Sequence, residues 1–150
     1  MTSTFTLVTR VPCAVEDLFD VSLSIDAHVE SMASSGERAV AGVTAGRIGL
    51  GETVTWRARH FGVWFTMTSR ISELARPTRF VDEQVAGPFR SFHHEHLFRQ
   101  DADAAVMTDV ITLGSPLFGR PAERLILVPY LRRLIERRNR HLAASLGAHG

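Results

Sequence analysis

The chain has 150 residues, 45% of them hydrophobic and 22% charged, with a formal net charge of +1. That length supports one domain, spanning 1–150, able to bury roughly 70% of its unfolded surface, and the near-neutral balance excludes the broad basic field of a nucleic-acid binder. A single cysteine excludes an internal disulfide, no run reaches the roughly 18 apolar residues of a membrane span, and no signal-peptide pattern opens the chain, so a cytoplasmic setting is expected.

Thr2 to Val11 alternates as a first strand and stops at Pro12, which has no ladder donor. Ala14 to Ser22 places Val15, Leu18 and Phe19 at helical spacing, with Glu16 and Asp17 in the first turn, where acidic residues suit the helix dipole. A second short helix is predicted over Ile25 to Met32. Both are too short to stand alone and must lie on something. Ser34-Ser35-Gly36 is a loop, a strand is predicted from Glu37 to Thr44, and the four glycines from Gly42 to Gly51 mark a mobile connection.

Thr53 to His60 alternates most clearly, with Val54, Trp56, Ala58 and His60 on one face. Phe61-Gly62 turns the chain. Val63 to Ile71 returns with Val63, Phe65, Met67, Ser69 and Ile71 opposite that face.

Phe80 to Phe98 reads as a hairpin about Gly87, Pro88 and Phe89, which sets Gln84 opposite Phe92, Asp82 opposite His94 and Phe80 opposite His96. Phe92, His94, His96 and Phe98 then share one face. A second turn over Asp101 to Ala104 pairs Gln100 with Ala105, Phe98 with Met107 and His96 with Asp109. Directly opposed side chains are close enough to hydrogen-bond, so the expected contacts are Asp82 with His94 and Asp109 with His96. A slip of one residue would send each set to the other face.

By Leu113 seven strands are predicted. After a loop over Gly114 to Arg120, a long helix runs to about Leu146, with Leu127, Leu131, Leu134, Ile135, Leu142 and Leu146 as its apolar stripe. Pro129 predicts a kink or a late start, and Arg132, Arg133, Glu136, Arg137 and Arg140 form the outer side. A curved antiparallel sheet with one apolar face must be covered, and only this last helix is long enough. The expected class is α+β: a seven-stranded curved antiparallel sheet wrapped around a long C-terminal helix, with two short helices between strands 1 and 2.

The segments W-R-A-R-H-F-G at Trp56 to Gly62, F-V-D-E-Q-V-A-G-P-F at Phe80 to Phe89, F-H-H-E-H-L-F at Phe92 to Phe98 and M-T-D at Met107 to Asp109 carry a resemblance. Over nearly its full length the chain resembles the START-like superfamily, also called SRPBCC, and within it the polyketide cyclase/dehydrase-type subgroup of small bacterial proteins. The resemblance implies a helix-grip fold with a deep pocket for a hydrophobic small molecule, lipid-like or aromatic and polyketide-like. Trp56, His60, Phe65, Met67, Gln84, Phe92, Phe98, Met107 and Leu131 are the expected ligand-binding residues. Beside them, His94, His96, Asp82 and Asp109 are the expected catalytic set if the protein is an enzyme.

A carboxylate beside an imidazole fixes its tautomer and raises its basicity, as a general base near neutral pH needs. The same group equally serves to anchor a ligand's polar end or to satisfy itself as a structural network. His94 and His96 with Asp82 or Asp109 also suggest metal ligation, but the spacing lacks a third clear ligand, and neither metal nor cofactor is expected. Cys13 has no basic neighbour in sequence and is not read as a nucleophile. Pro116 to Pro121 reads as a loop or as a gate over the pocket. The leading function is ligand binding, the alternative is a cyclase or dehydratase using His94 or His96 as acid or base, and a third reading is an interaction protein acting through its basic last helix. Expected partners are the ligand, with neither nucleic acid nor an integral membrane; a homodimer is left open.

Overall fold

The computed structural model describes residues 2–114 and 123–147. Strand β1 (Ser3–Val11) is followed by helices α1 (Val15–Ser22) and α2 (Ile25–Ser31), then β2 (Arg38–Gly42), β3 (Thr53–His60), β4 (Val63–Ala75), β5 (Arg79–Ala86), β6 (Ser91–Asp101) and β7 (Ala104–Gly114). A π-helical turn at Glu123–Leu127 leads into the last helix, α3 (Val128–Gly147). The seven strands form one antiparallel sheet in the order β1-β7-β6-β5-β4-β3-β2. This is the expected helix-grip architecture. The predicted loop over Gly114 to Arg120 and the Pro116 to Pro121 gate lie, beyond Gly114, outside the described residues.

Turn chemistry sets the registers. Phe61 and Gly62 both take positive φ, 54° and 76°, which gives a two-residue turn matched to strand twist and pairs Trp56 with Met67 and Val54 with Ser69. Further on, His94 stands opposite Asp82, His96 opposite Phe80 on one side and Asp109 on the other, and Phe98 opposite Met107, as the alternation predicts. The strand expected from Glu37 to Thr44 is shorter, and it carries a bulge between Ala39 and Ala41.

The short helices close one end of the sheet. Ala14 offers α1 no side-chain cap; instead Gln100 Oε1, from β6, accepts from Val15 N at 2.8 Å. Ser24 Oγ caps α2 by accepting from Ala27 N. Phe19 of α1 packs edge-on against Phe80 and Phe98, with centroids 5.6 and 5.1 Å away. Pro129 is the second residue of α3, directly after the π-helical turn, so the α-helix begins beside it, in keeping with the expected late start.

The α3 stripe differs from the expected one at its centre. Leu134 and Leu142 are buried, but so are Arg138 and Asn139, at 4% and 3% exposure. The expected outer arginines, Arg132, Arg133, Arg137 and Arg140, are exposed. Among the described residues, no helix is long and apolar enough to cross a membrane.

Candidate functional site

Because side chains alternate along a strand, β6 turns His94 and His96 inward, toward α3. Their rings stack at 3.7 Å, and Phe80 stacks on the far side of His96 at 3.9 Å. The backbone register sets His94 opposite Asp82 and His96 opposite Asp109, as expected, but the shortest side-chain bonds run diagonally. His94 Nε2 reaches Asp109 Oδ1 at 2.7 Å, and His96 Nε2 reaches Asp82 Oδ2 at 2.6 Å. Of the contacts expected from direct opposition, Asp82 with His94 gives way to the diagonal bond, while Asp109 with His96 is kept as a 3.3 Å approach of His96 Nδ1 to Asp109 Oδ1. A diagonal neighbour lies within reach of a long side chain, and the stacked rings leave the diagonal as the open direction.

Asp109 is fully buried and is held from the helix as well as the sheet. Arg138 Nη2 donates to its Oδ1 at 2.8 Å, and Asn139 Nδ2 donates to its Oδ2 at 2.8 Å. Asn139 Oδ1 in turn accepts from Arg138 Nε and Nη2. Neither α3 residue was singled out from the sequence. The available signal was spacing: Arg138 stands four residues after Leu134 and four before Leu142, inside the apolar stripe.

These contacts decide the charges. Burial pushes the Asp109 carboxyl up, but the Arg138 guanidinium and the His94 and His96 bonds outweigh it and hold it well below the usual carboxylate range. Asp82 is lowered in the same way, burial being overcome by the His96 bond. Burial opposes the His96 imidazolium too, yet Asp109 and Asp82 together raise its pKa. His94 goes the other way, lowered to about 4 by burial and by the neighbouring positive His96. The group therefore balances two carboxylates against Arg138 and His96, with His94 neutral. An ionised carboxylate only accepts, so His94 donates Nε2–H to Asp109 and keeps its Nδ1 lone pair.

Asp82, His94 and His96 offer ligand atoms within 4.8 Å of one another. Both Nε2 atoms already face carboxylates, however, and Arg138 already sits on Asp109. The cluster is a charge-matched network in which His96 Nδ1, 3.3 Å from Asp109 Oδ1, is the one buried side-chain atom without an aligned hydrogen bond among the described residues.

Beside the cluster lies a cavity of about 250 Å³ between the sheet and α3. Trp56, His60, Phe65, Met67, Phe92 and Leu131 line it, as do Asp82, His94 and His96. Four expected site residues do not. Gln84 folds back on the β5–β6 connection, donating to Phe89 O at 2.8 Å and accepting from Phe89 N at 3.2 Å. Phe98 packs against Phe19, Met107 lies beneath α1 within 3.6 Å of Ser22 Oγ, and Asp109 sits behind the histidines.

Three lining features were not read from the sequence. His60 Nδ1 meets the Tyr130 hydroxyl at 2.6 Å, joining the end of β3 to α3; burial lowers the His60 pKa. His28 packs at a tilt on Trp56, with ring centroids 4.3 Å apart, and bonds Glu37. Ser69 is 4% exposed, and its Oγ has no hydrogen-bond partner among the described residues.

A curled sheet gripping its last helix around such a cavity is the helix-grip fold of the START-like, or SRPBCC, superfamily, and the chain has that fold. The chain is similar to the ZhuI aromatase/cyclase from Streptomyces sp. R1128, with a TM-score of 0.76 and 13% identity over 97% of this chain and 94% of that one. It is similar also to Ara h 8.0201, with a TM-score of 0.72 and 12% identity over 97% and 98%. A third similar structure is major latex-like protein 151 from Panax ginseng, with a TM-score of 0.70 and 14% identity over 97% of both chains. No protein-family model and no curated protein matches the sequence.

Proposed function

We propose that this protein binds a hydrophobic small molecule, lipid-like or aromatic, in the cavity between its sheet and α3. The observation that carries this reading is an apolar-walled space of about 250 Å³ with one buried, charge-matched polar cluster on its wall. Burying apolar ligand surface contributes roughly 25 cal/mol per Å² before ordering costs, and the cluster fixes orientation. The lone Cys13 suits a reducing cytoplasm. Native mass spectrometry of the purified protein tests the reading: a retained small molecule is expected, and the same spectrum reports whether two copies associate. Protein that retains nothing and takes up no added apolar molecule would end it.

The second reading is a cyclase or dehydratase, favoured by the orientation of His94. Its Nε2–H is fixed on Asp109, its remaining lone pair belongs to a ring on the cavity wall, and one similar structure is an aromatase/cyclase. His96 is the more basic of the two, but it holds its proton between two carboxylates and has no lone pair to offer, whereas His94 keeps one. Substitution separates the readings: His94→Gln abolishes turnover in a catalyst and changes affinity only modestly in a carrier.

A further inference from the structure

Ser69 sits mid-sheet, paired with Val54 on β3 and Gln84 on β5, and it lines the cavity. A buried hydroxyl with no partner is costly, and in an apolar wall alanine or valine would avoid that cost. The orphaned Oγ is thus an unfilled hydrogen-bonding position in a residue of the cavity wall; the other unpartnered buried atom there among the described residues, His96 Nδ1, already faces Asp109 Oδ1 at 3.3 Å.

Charge limits what can fill it. The acids at or behind the cavity wall are already engaged: Asp82 is paired with His96, Asp109 behind the histidines is paired with Arg138, and Glu37 is hydrogen-bonded to the His28 ring. A ligand carboxylate or ammonium would enter a buried space whose charges are already matched, and it would lose its hydration without compensation.

Volume limits the rest. An apolar cavity of about 150 Å³ holds benzene, so scaling to the 250 Å³ here gives room for about ten ligand heavy atoms, a two-ring frame. A long acyl chain would leave part of its apolar length outside it, in water.

We propose that the cavity takes a neutral, two-ring-sized apolar molecule carrying a hydroxyl or carbonyl group, and that Ser69 Oγ is the atom recognising that group. This inference rests on the binding reading and narrows it to a class of ligand.

Calorimetric titration of the purified chain near neutral pH with 2-naphthol, naphthalene, 2-naphthoate and palmitate tests it. The expected order has 2-naphthol tightest, with 2-naphthoate and palmitate at least about tenfold weaker. Ser69→Ala is expected to weaken 2-naphthol by about tenfold while leaving naphthalene unchanged, which also shows that the variant is folded. If 2-naphthoate or palmitate matches 2-naphthol, the binding reading stands and this inference is overturned. An equal effect of Ser69→Ala on naphthalene and 2-naphthol, or none on either, overturns the role of Ser69. Failure of all four probes to bind removes the binding reading and this inference with it.

Discussion

His94 and His96 stack face to face at 3.7 Å, yet their Nε2 atoms point to carboxylates on opposite neighbouring strands, Asp109 on β7 and Asp82 on β5. Two imidazolium rings at that separation repel, so the stack holds one proton, and His96, between both carboxylates, is where it resides. Imidazole nitrogen NMR across a pH series is expected to show His94 neutral at pH 5 and His96 keeping its proton above its ordinary value. Titration of His94 near 6.5 would refute the assignment.

The same assignment fixes signs for stability. With a folded value of about 4, His94 resists a proton that the unfolded chain accepts near 6.5, so folding loses about 3 kcal/mol as pH falls between those points. His96 opposes this: its folded value is raised, so its contribution is full below about 6.5 and is lost as pH rises through the folded value. The depressed Asp82 and Asp109 contribute above about 3.9 and lose it as pH falls through their folded values. Urea unfolding of His94→Gln is expected to show a flatter pH dependence between about 6.5 and 4 than the parent chain. An unchanged slope counts against the account.

Arg138 reaches Asp109 from α3, and removing it leaves a fully buried carboxylate without its guanidinium. Arg138→Met should cost about 3–5 kcal/mol, or about 10 °C in Tm for a chain of this size. Adding Asp109→Leu should recover part of that loss, because both charges are then gone, but not all of it, because the buried donors of His94 and Asn139 lose their acceptor. A single variant melting within about 2 °C of the parent would show that the pair is not holding helix to sheet.

The sheet was legible because alternation and turn residues fix register: the Phe61-Gly62 turn and the spacing from His94 to Asp109 set the right residues opposite each other. What registers cannot specify is direction off the backbone, so the diagonal bonds of His94 and His96 were not legible. Nor was Gln84, whose amide satisfies the Phe89 backbone rather than the cavity. Arg138 and Asn139 escaped because charged and amide side chains on an amphipathic helix are ordinarily solvated, and only tertiary contact with Asp109 makes them core.

The His60–Tyr130 bond joins the end of β3 to the first turn of α3 beside the cavity, with the Phe61 ring 4.4 Å from Tyr130. Tyr130→Phe keeps the ring contact and deletes the bond, a loss of about 1 kcal/mol. If that link restrains the cavity wall, 2-naphthol should leave about fivefold faster, which stopped-flow fluorescence would register. An unchanged release rate assigns the bond to stability alone.

Gly42 closes β2 at the sheet edge with φ of 72°, and a Cβ there would lie far inside van der Waals contact with the Thr53 carbonyl oxygen. Both the left-handed conformation and the clash penalise Gly42→Ala, by at least about 2 kcal/mol. Because β2 pairs only with β3, the strain can relax by local detachment of the edge, which limits the fall in global stability. The expected signature is faster amide exchange at Val43, whose N–H donates to Thr53 O at 2.9 Å, with slower exchange retained in β6 and β7. Glu37 directly precedes β2 and holds His28 against Trp56, so loosening this edge should also weaken ligand binding. Parent-like exchange at Val43 would mean that the edge absorbs the extra methyl without opening.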